Sequence, residues 1–348
     1  MTDLPPDEVL RHVVDVHCHP TDSFNEWTAT VCAMASRNTD QVLVRDLASA
    51  YPSKVIPCFG YHPWFSHCIA LDASLSKEEH YQKHFLETQK VITQEHRDAF
   101  NAILPSLPSP SPLSVILDQL RLNLSAFPNA MVGEVGTDRS FHVPFDFYER
   151  PRRKTPFNVP IDHQLAILEA QLDAAVKLGR NTSIHSVHLQ QATADLLDRL
   201  AEKHGESFYC ISFNLHSCGL SSETWRVIEK KHPNVYISLS TVVNGRSSGY
   251  KALIATCADD RILAESDYDS IDMSTSQTWD MVKTIAEIKE WKIETSWADD
   301  LEEKEWGVVH HLKRNWERFC AGNHTPPSTR KPAKHRKMTD RYKSPSPS

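Results

Sequence analysis

Residues 13–19 read Val-Val-Asp-Val-His-Cys-His, an apolar run that ends on two histidines one residue apart. In an extended chain, residues i and i+2 project to the same face, so Asp15, His17 and His19 share a side and two imidazoles can chelate one cation. Four later apolar runs end in the same manner. VGEVGTD (132–138) carries Glu134, SIHSVH (183–188) carries His185 and His188, FNLHSCG (213–219) carries His216, and LAESD (263–267) carries Asp267. Each residue alone also reads as a packed core histidine, a paired carboxylate or a helix cap. Together they place metal-competent side chains at the ends of five strands, and a parallel (β/α)₈ barrel gathers strand ends on one face.

Working outward, apolar runs alternate with helical patterns, as expected of an α/β chain with a mainly parallel sheet. Strands are predicted at 13–19, 28–35, 54–61, 130–136, 182–186, 208–216, 235–240 and 261–266. Eight is the number a closed barrel of this type requires. Helices are predicted at 40–51, 161–178, 190–203, from the Ser221/Ser222 cap to 231, near 250–257, 276–289 and 301–319. The barrel thus occupies residues 1–321, a TIM-type (β/α)₈ fold.

Two stretches interrupt the repeat, at about 67–111 and 140–160. The first contains an amphipathic segment, 76–102, that reads as one helix opened by a Ser76/Glu79 capping box. The second, rich in Pro, Arg and aromatics, offers Arg150, Arg152, Arg153 and Lys154 as a local phosphate grip. Both follow strands at the active face, so both are candidate lids or specificity loops.

Of 348 residues, 40% are hydrophobic, enough for a large core. The net charge of −7 conceals a basic tail, 322–348, which carries seven Lys or Arg and one acid; residues 1–321 therefore hold −13. So acidic a body disfavours a non-specific grip on phosphates, leaving any nucleic acid to metals, a basic patch or the tail. The tail lacks a hydrophobic period and reads as disordered. Its RKPAKHRK run (330–337) suits nuclear import or polyanion binding, and Ser344 and Ser346 precede prolines. The chain opens with acids and prolines instead of a secretory leader, and no apolar run is long enough to span a bilayer, so a cytoplasmic or nuclear protein without membrane attachment is expected. None of the eight cysteines forms a C-x-x-C pair. Cys18, Cys32, Cys58 and Cys210 sit in apolar runs as structural thiols.

The motifs VVDVHCH, CFGYHPW, VGEVGTD, SIHSVH, HSCG and ESD, in this order, resemble the TatD-type metal-dependent hydrolases of the amidohydrolase superfamily. The likeness runs from about residue 13 to 319, omitting the insertions and tail, and the fungal branch looks most similar. It implies one metal on His17, His19, Glu134 and Asp267, and a second on His185 and His216, with Glu134 bridging. It also implies a substrate role for His62. In this sequence Val187 stands where the family usually has an arginine, and HSCG is shorter than the usual motif and lacks its aromatic. After Asp267, where the family has a small residue and proline, this chain has Tyr268 and Asp269. These departures touch substrate positions, not ligands.

The expected chemistry is hydrolysis of a phosphodiester, resembling a 3'–5' exodeoxyribonuclease, with two divalent ions activating water. Mixed imidazole and carboxylate ligands suit Zn²⁺, Mn²⁺ or Mg²⁺. Glu134 and Asp267 would be catalytic, His62, His188, Arg152 and Arg153 would meet the substrate, and Asp15 would orient a ligating imidazole. Two alternatives stay open: a superfamily hydrolase of a small amide, lactone or phosphoester, and a scaffold that binds a helical-repeat protein through its insertion or tail.

Overall fold

The computed structural model describes residues 4–20 and 28–327. Its eight barrel strands are β1 (Val14–Cys18), β2 (Thr30–Met34), β3 (Val55–Phe59), β4 (Met131–Asp138), β5 (Thr182–Val187), β6 (Phe213–His216), β7 (Val235–Leu239) and β8 (Ile262–Ala264). They pair in sequence order, every neighbour parallel. Two main-chain bonds bridge the seam from β8 to β1: Asp267 N–H to the His17 carbonyl at 2.9 Å, and His19 N–H to that of Tyr268 at 2.8 Å. The fold is the expected TIM-type barrel.

Helices α1 (Asn38–Ala50), α4 (Leu113–Ala126), α5 (Ile161–Leu178), α6 (Gln190–His204), α7 (Ser222–Lys231), α8 (Tyr250–Thr256), α9 (Ile271–Lys289) and α10 (Val308–Ala321) cover the outside. The first insertion contributes α2 (Lys77–Phe85) and α3 (Gln94–Ile103). α5 ends at Gly179 in the left-handed conformation, and α7 begins where Ser221 Oγ accepts the Thr224 N–H at 3.1 Å. Inside the barrel, Val16, Cys32, Met34, Cys58, Met131, Tyr236 and Leu263 fill the lower layers, and Phe319 of α10 joins them. Each such large side chain contributes about 1.5–3 kcal/mol by burial. None of the described helices is long and apolar enough to cross a membrane.

The structure corrects several expectations. The 76–102 helix is two, α2 and α3. The Ser76/Glu79 box opens the first, while Thr93 caps the second by accepting from His96 N–H, a start signal inside what reads as one amphipathic run. Strand β6 begins at Phe213, because residues Glu206–Tyr209 form a helical turn whose Phe208 is buried. Cys210 follows that turn and is exposed, unlike buried Cys18, Cys32 and Cys58. Helix α4, unforeseen in the sequence, returns β3 to β4, and α9 begins five residues ahead of its predicted start.

The two insertions form one body. Tyr81, Phe85, Ala99, Phe100 and Ile103 of α2 and α3 bury against Val143, Phe157 and Val159 of the second insertion, which doubles back as a short antiparallel ladder. Past Ala321 the chain stays tied to the barrel: Asn323 and His324 N–H donate to the carbonyls of Cys210 and Tyr209. The RKPAKHRK run, Ser344 and Ser346 lie outside the described residues.

Candidate metal centre

Register puts the expected ligands at one level. His185 of β5 lies opposite Gly136 of β4 on one side and His216 of β6 on the other. Gly136 is required there, since a Cβ would meet the His185 carbonyl oxygen at 2.1 Å. His17, Asp267 and His19 are joined to the same rim through the seam bonds.

Glu134 is the hub, 3% exposed among the rings. Its Oε2 lies 3.2 Å from His19 Nε2 and 3.6 Å from His17 Nε2. Its Oε1 lies 3.0 Å from His185 Nδ1, 3.1 Å from His216 Nε2 and 3.3 Å from His62 Nε2. The two oxygens thus face two separate sets of rings. Asp267 Oδ1 joins the first set, 3.7 Å from His19 Nε2 and 3.9 Å from His17 Nε2. His17 and His216 are buried and stacked with centroids 3.4 Å apart. His19 and Asp267 keep 23% and 19% of their side chains exposed, so the centre opens on that side.

Electrostatics follow from this crowding. Burial alone would raise the Glu134 carboxyl, but His62 and His17 outweigh it and hold the group well below the ordinary carboxylate range. Burial, then the neighbouring His216, lowers His17 to about 3, so its contact with Glu134 is not an ion pair. Burial would lower His185, yet bonding to Asp138 and Glu134 raises it to about 9. Burial lifts Asp267 to about 6.

The side chains fit a divalent metal. Five imidazoles and two carboxylates converge within a few ångströms, and His17 Nε2 is buried without a hydrogen-bond partner among the described residues. Both His17–His19–Glu134 and His62–Glu134–His185 bring ligand atoms close enough to hold an ion. The outer bonds select the ligating atoms. His216 Nδ1 donates to Glu265 Oε1 at 3.0 Å, which turns Nε2 toward Glu134. His17 Nδ1 lies 2.8 Å from Ser183 Oγ, leaving Nε2 for a cation. His62 differs: its Nδ1 accepts Trp64 N–H at 3.2 Å, so the neutral ring carries its proton on Nε2 and presents a donor to the centre. A donor suits an anionic substrate oxygen better than a cation.

Asp15 departs from its expected contact. Its Oδ1 accepts from Ser266 N–H at 2.9 Å and His17 N–H at 3.3 Å, and its Oδ2 from Ser266 Oγ–H at 2.5 Å. It fixes backbone on both sides of the seam, and the group beside the His17 imidazole is Ser183 instead. His188 is exposed at the end of β5 with a left-handed backbone, φ 56°. Arg152 and Arg153 sit in the second insertion over the rings of Phe147 and Phe145, at 4.1 and 4.5 Å.

Sequence reading misses Glu265 and Asp138. Glu265, wholly buried, accepts from His216, Ser217 and Ser238. Asp138 Oδ2 accepts from Trp64 Nε1 at 2.7 Å and lies 3.5 Å from His185 Nε2. Asp138 stands four residues from Glu134 in the same strand, so alternation points to it, whereas Glu265 lies just past the end of β8 and is signalled only as a second acid beside Asp267.

The chain is similar to known proteins over most of its length. Residues 14–303 match the family described as TatD related DNase. The chain is 30% identical over 324 residues to the Cut9-interacting protein scn1 of Schizosaccharomyces pombe, covering 82% of this chain and 95% of that one. It is 26% identical over 280 residues to an uncharacterized deoxyribonuclease of Saccharomyces cerevisiae, covering 74% and 84%. Among solved structures, YJJV, a TatD homologue from Escherichia coli, aligns with a TM-score of 0.53 at 16% identity over 91% of this chain and 100% of that one. An uncharacterized amidohydrolase from Saccharomyces cerevisiae gives 0.54 at 13% identity, over 88% and 99%. At such identities the structural likeness concerns the fold.

Proposed function

The chain belongs to the TatD-related DNase family, in its fungal branch, and from that premise we propose that this hydrolase is a divalent-metal-dependent deoxyribonuclease, a 3'–5' exonuclease by type. The observation that carries the reading is the division of Glu134, one oxygen toward His17 and His19, the other toward His185 and His216. With that division, His17, His19 and Asp267 would hold one divalent ion and His185 and His216 a second, with Glu134 serving both sets. Bound there, two divalent ions would lower the pKa of water toward neutrality and stabilise charge on a phosphoryl oxygen.

The protein's own groups supply the remainder. Asp267 Oδ1, at the open side, accepts the proton that the attacking water sheds. His62 Nε2–H donates to a phosphate oxygen, and its orientation is fixed by Trp64 N–H at Nδ1. His188, Arg152 and Arg153 contribute phosphate contacts farther out. Glu265, Ser183 and Asp138 hold the imidazoles in their orientations, so little reorganisation is needed when substrate arrives.

The test is degradation of single-stranded DNA by purified protein with Mg²⁺, Mn²⁺ or Zn²⁺, alongside small amides, lactones and esters. Shortening from the 3' end that stops with His17→Ala/His19→Ala supports the reading. Intact DNA at excess enzyme, with a small amide or ester consumed, overturns it. A second reading draws on the name of scn1, a Cut9-interacting protein: the insertion body would bind a protein partner. Such binding survives His17→Ala/His19→Ala, whereas hydrolysis does not.

A further inference from the structure

Asp138 ends β4, is buried, and has every oxygen engaged. Its Oδ1 accepts Ser140 N–H and Ser140 Oγ–H, each at 2.7 Å, and Phe141 N–H at 3.1 Å, so the second insertion starts from this carboxylate. Its Oδ2 accepts Trp64 Nε1–H at 2.7 Å. The main chain is clamped to α5: Asp138 N–H donates to Gln164 Oε1 at 2.7 Å, and Gln164 Nε2 donates to the Asp138 carbonyl at 3.1 Å. The side chain therefore stands at a fixed point of the barrel, while the groups it holds belong to the loops above.

The same Oδ2 faces a ligand of the metal centre. His185 presents Nδ1 to Glu134 at 3.0 Å and Nε2 to Asp138 at 3.5 Å. That Nε2 is buried with no closed hydrogen bond among the described residues. At such a separation the contact is loose, and it gains most of its strength only on shortening toward ~2.9 Å. With Nδ1 given to a cation, the neutral ring keeps its proton on Nε2 as a stronger donor, and the Asp138 carboxylate is the acceptor it faces. Ring contacts extend the connection. His62 packs edge-on against His185 at 4.5 Å and against Trp64 at 5.0 Å, and Trp64 stacks on Phe141 at 5.0 Å. A metal ligand, the His62 arm and the root of the insertion thus meet at one carboxylate.

We propose that Asp138 is a positioning residue that couples the His185 side of the metal centre to the second insertion. Occupancy at His185 draws Ser140, Phe141 and Trp64 more firmly around the carboxylate, and displacement of the insertion loosens His185 in turn. By linkage the two effects are equal in free energy. A molecule that shifts residues 140–160 therefore lowers metal affinity without touching a ligand. The proposal rests on the metal reading of the site and not on DNA as the substrate.

The experiment compares the intact protein metal-free and with Zn²⁺. It reads hydrogen exchange of peptides within 140–160, and Zn²⁺ affinity by competition with a calibrated chelator. In the wild type, Zn²⁺ is expected to slow exchange across 140–160 about fivefold or more. Asp138→Asn offers one carbonyl oxygen in place of two anionic ones, so it serves either the insertion root or the Trp64 and His185 side. This variant is expected to lose the Zn²⁺-dependent slowing. Ser140→Ala, at an exposed position, removes one donor to Asp138 and touches no ligand. It is expected to weaken Zn²⁺ binding about fivefold, a loss that a serine with only a structural role would not produce. Exchange that ignores Zn²⁺ in the wild type overturns the proposal. So does full slowing in Asp138→Asn, or wild-type Zn²⁺ affinity in Ser140→Ala. If Zn²⁺ slows exchange but no DNA is cut, the nuclease reading fails and the coupling stands. If DNA is cut while exchange ignores Zn²⁺, the coupling fails and the nuclease reading stands.

Discussion

Glu265 Oε1 lies 3.0 Å from His216 Nδ1, and the carboxylate is wholly buried, with Ser217 and Ser238 as its other donors. This bond fixes the ring so that Nε2 faces Glu134 at 3.1 Å. Glu265→Gln keeps the shape but removes the charge that strengthens the imidazole as a ligand. Metal affinity is expected to fall about 10–100-fold, measured by competition with a calibrated chelator. Wild-type affinity in the variant would show that Glu265 only packs.

Much of this centre is legible in the sequence because strand alternation is a two-residue rule. His17 and His19 declare a shared face, and Glu134 between two glycines declares a carboxylate that a barrel interior tolerates only with partners. Asp15 finds a different partner because the register shifts between Asp15 and Cys18, so regular alternation no longer ties its side to that of His17. Its carboxylate reaches Ser266, 251 residues away, a contact no local pattern encodes. Likewise Thr93 restarts a helix within one amphipathic run, and the joint core of Phe85 with Phe157 is visible only once β3 and β4 are neighbours.

Glu134→Gln tests the hub. An amide can offer one carbonyl oxygen but no second anionic one, so it cannot serve both sets of rings. Bound metal per chain is expected to drop by at least one equivalent, and hydrolysis by at least about 100-fold. Elemental analysis and initial rates measure these, with circular dichroism to confirm the fold. Full metal content in the variant would contradict a bridging carboxylate.

Gly136→Ala tests the register. The added methyl would overlap the His185 carbonyl, a backbone atom unable to rotate away. Strands β4 and β5 must separate, at a cost of about 1–3 kcal/mol, and His185 moves with its strand. A lower melting temperature together with weakened metal binding is expected. A variant as stable as the wild type would mean that the two strands have slack.

The last prediction concerns the insertion body. His67, His84 and His163 are held near 4, 3 and 4, in each case chiefly by burial. Lys83 adds to the effect at His84 and His163, and the rings of His84 and His163 lie 4.0 Å apart. All three stay neutral in the folded chain, whereas the unfolded chain protonates them below about 6.5. The unfolded state therefore binds more protons, and stability, complete above about pH 6.5, falls as the pH drops toward 4. Each histidine contributes up to about 1.4 kcal/mol per pH unit within that window. Hydrogen exchange of the α2 and α3 amides is expected to quicken from pH 7 to 5 after correction for intrinsic rates. His84→Phe keeps a ring in the same space without a titrating nitrogen, so it should flatten this dependence by about one proton's worth. Parallel behaviour of variant and wild type would remove His84 from the account and leave the acid sensitivity to other groups.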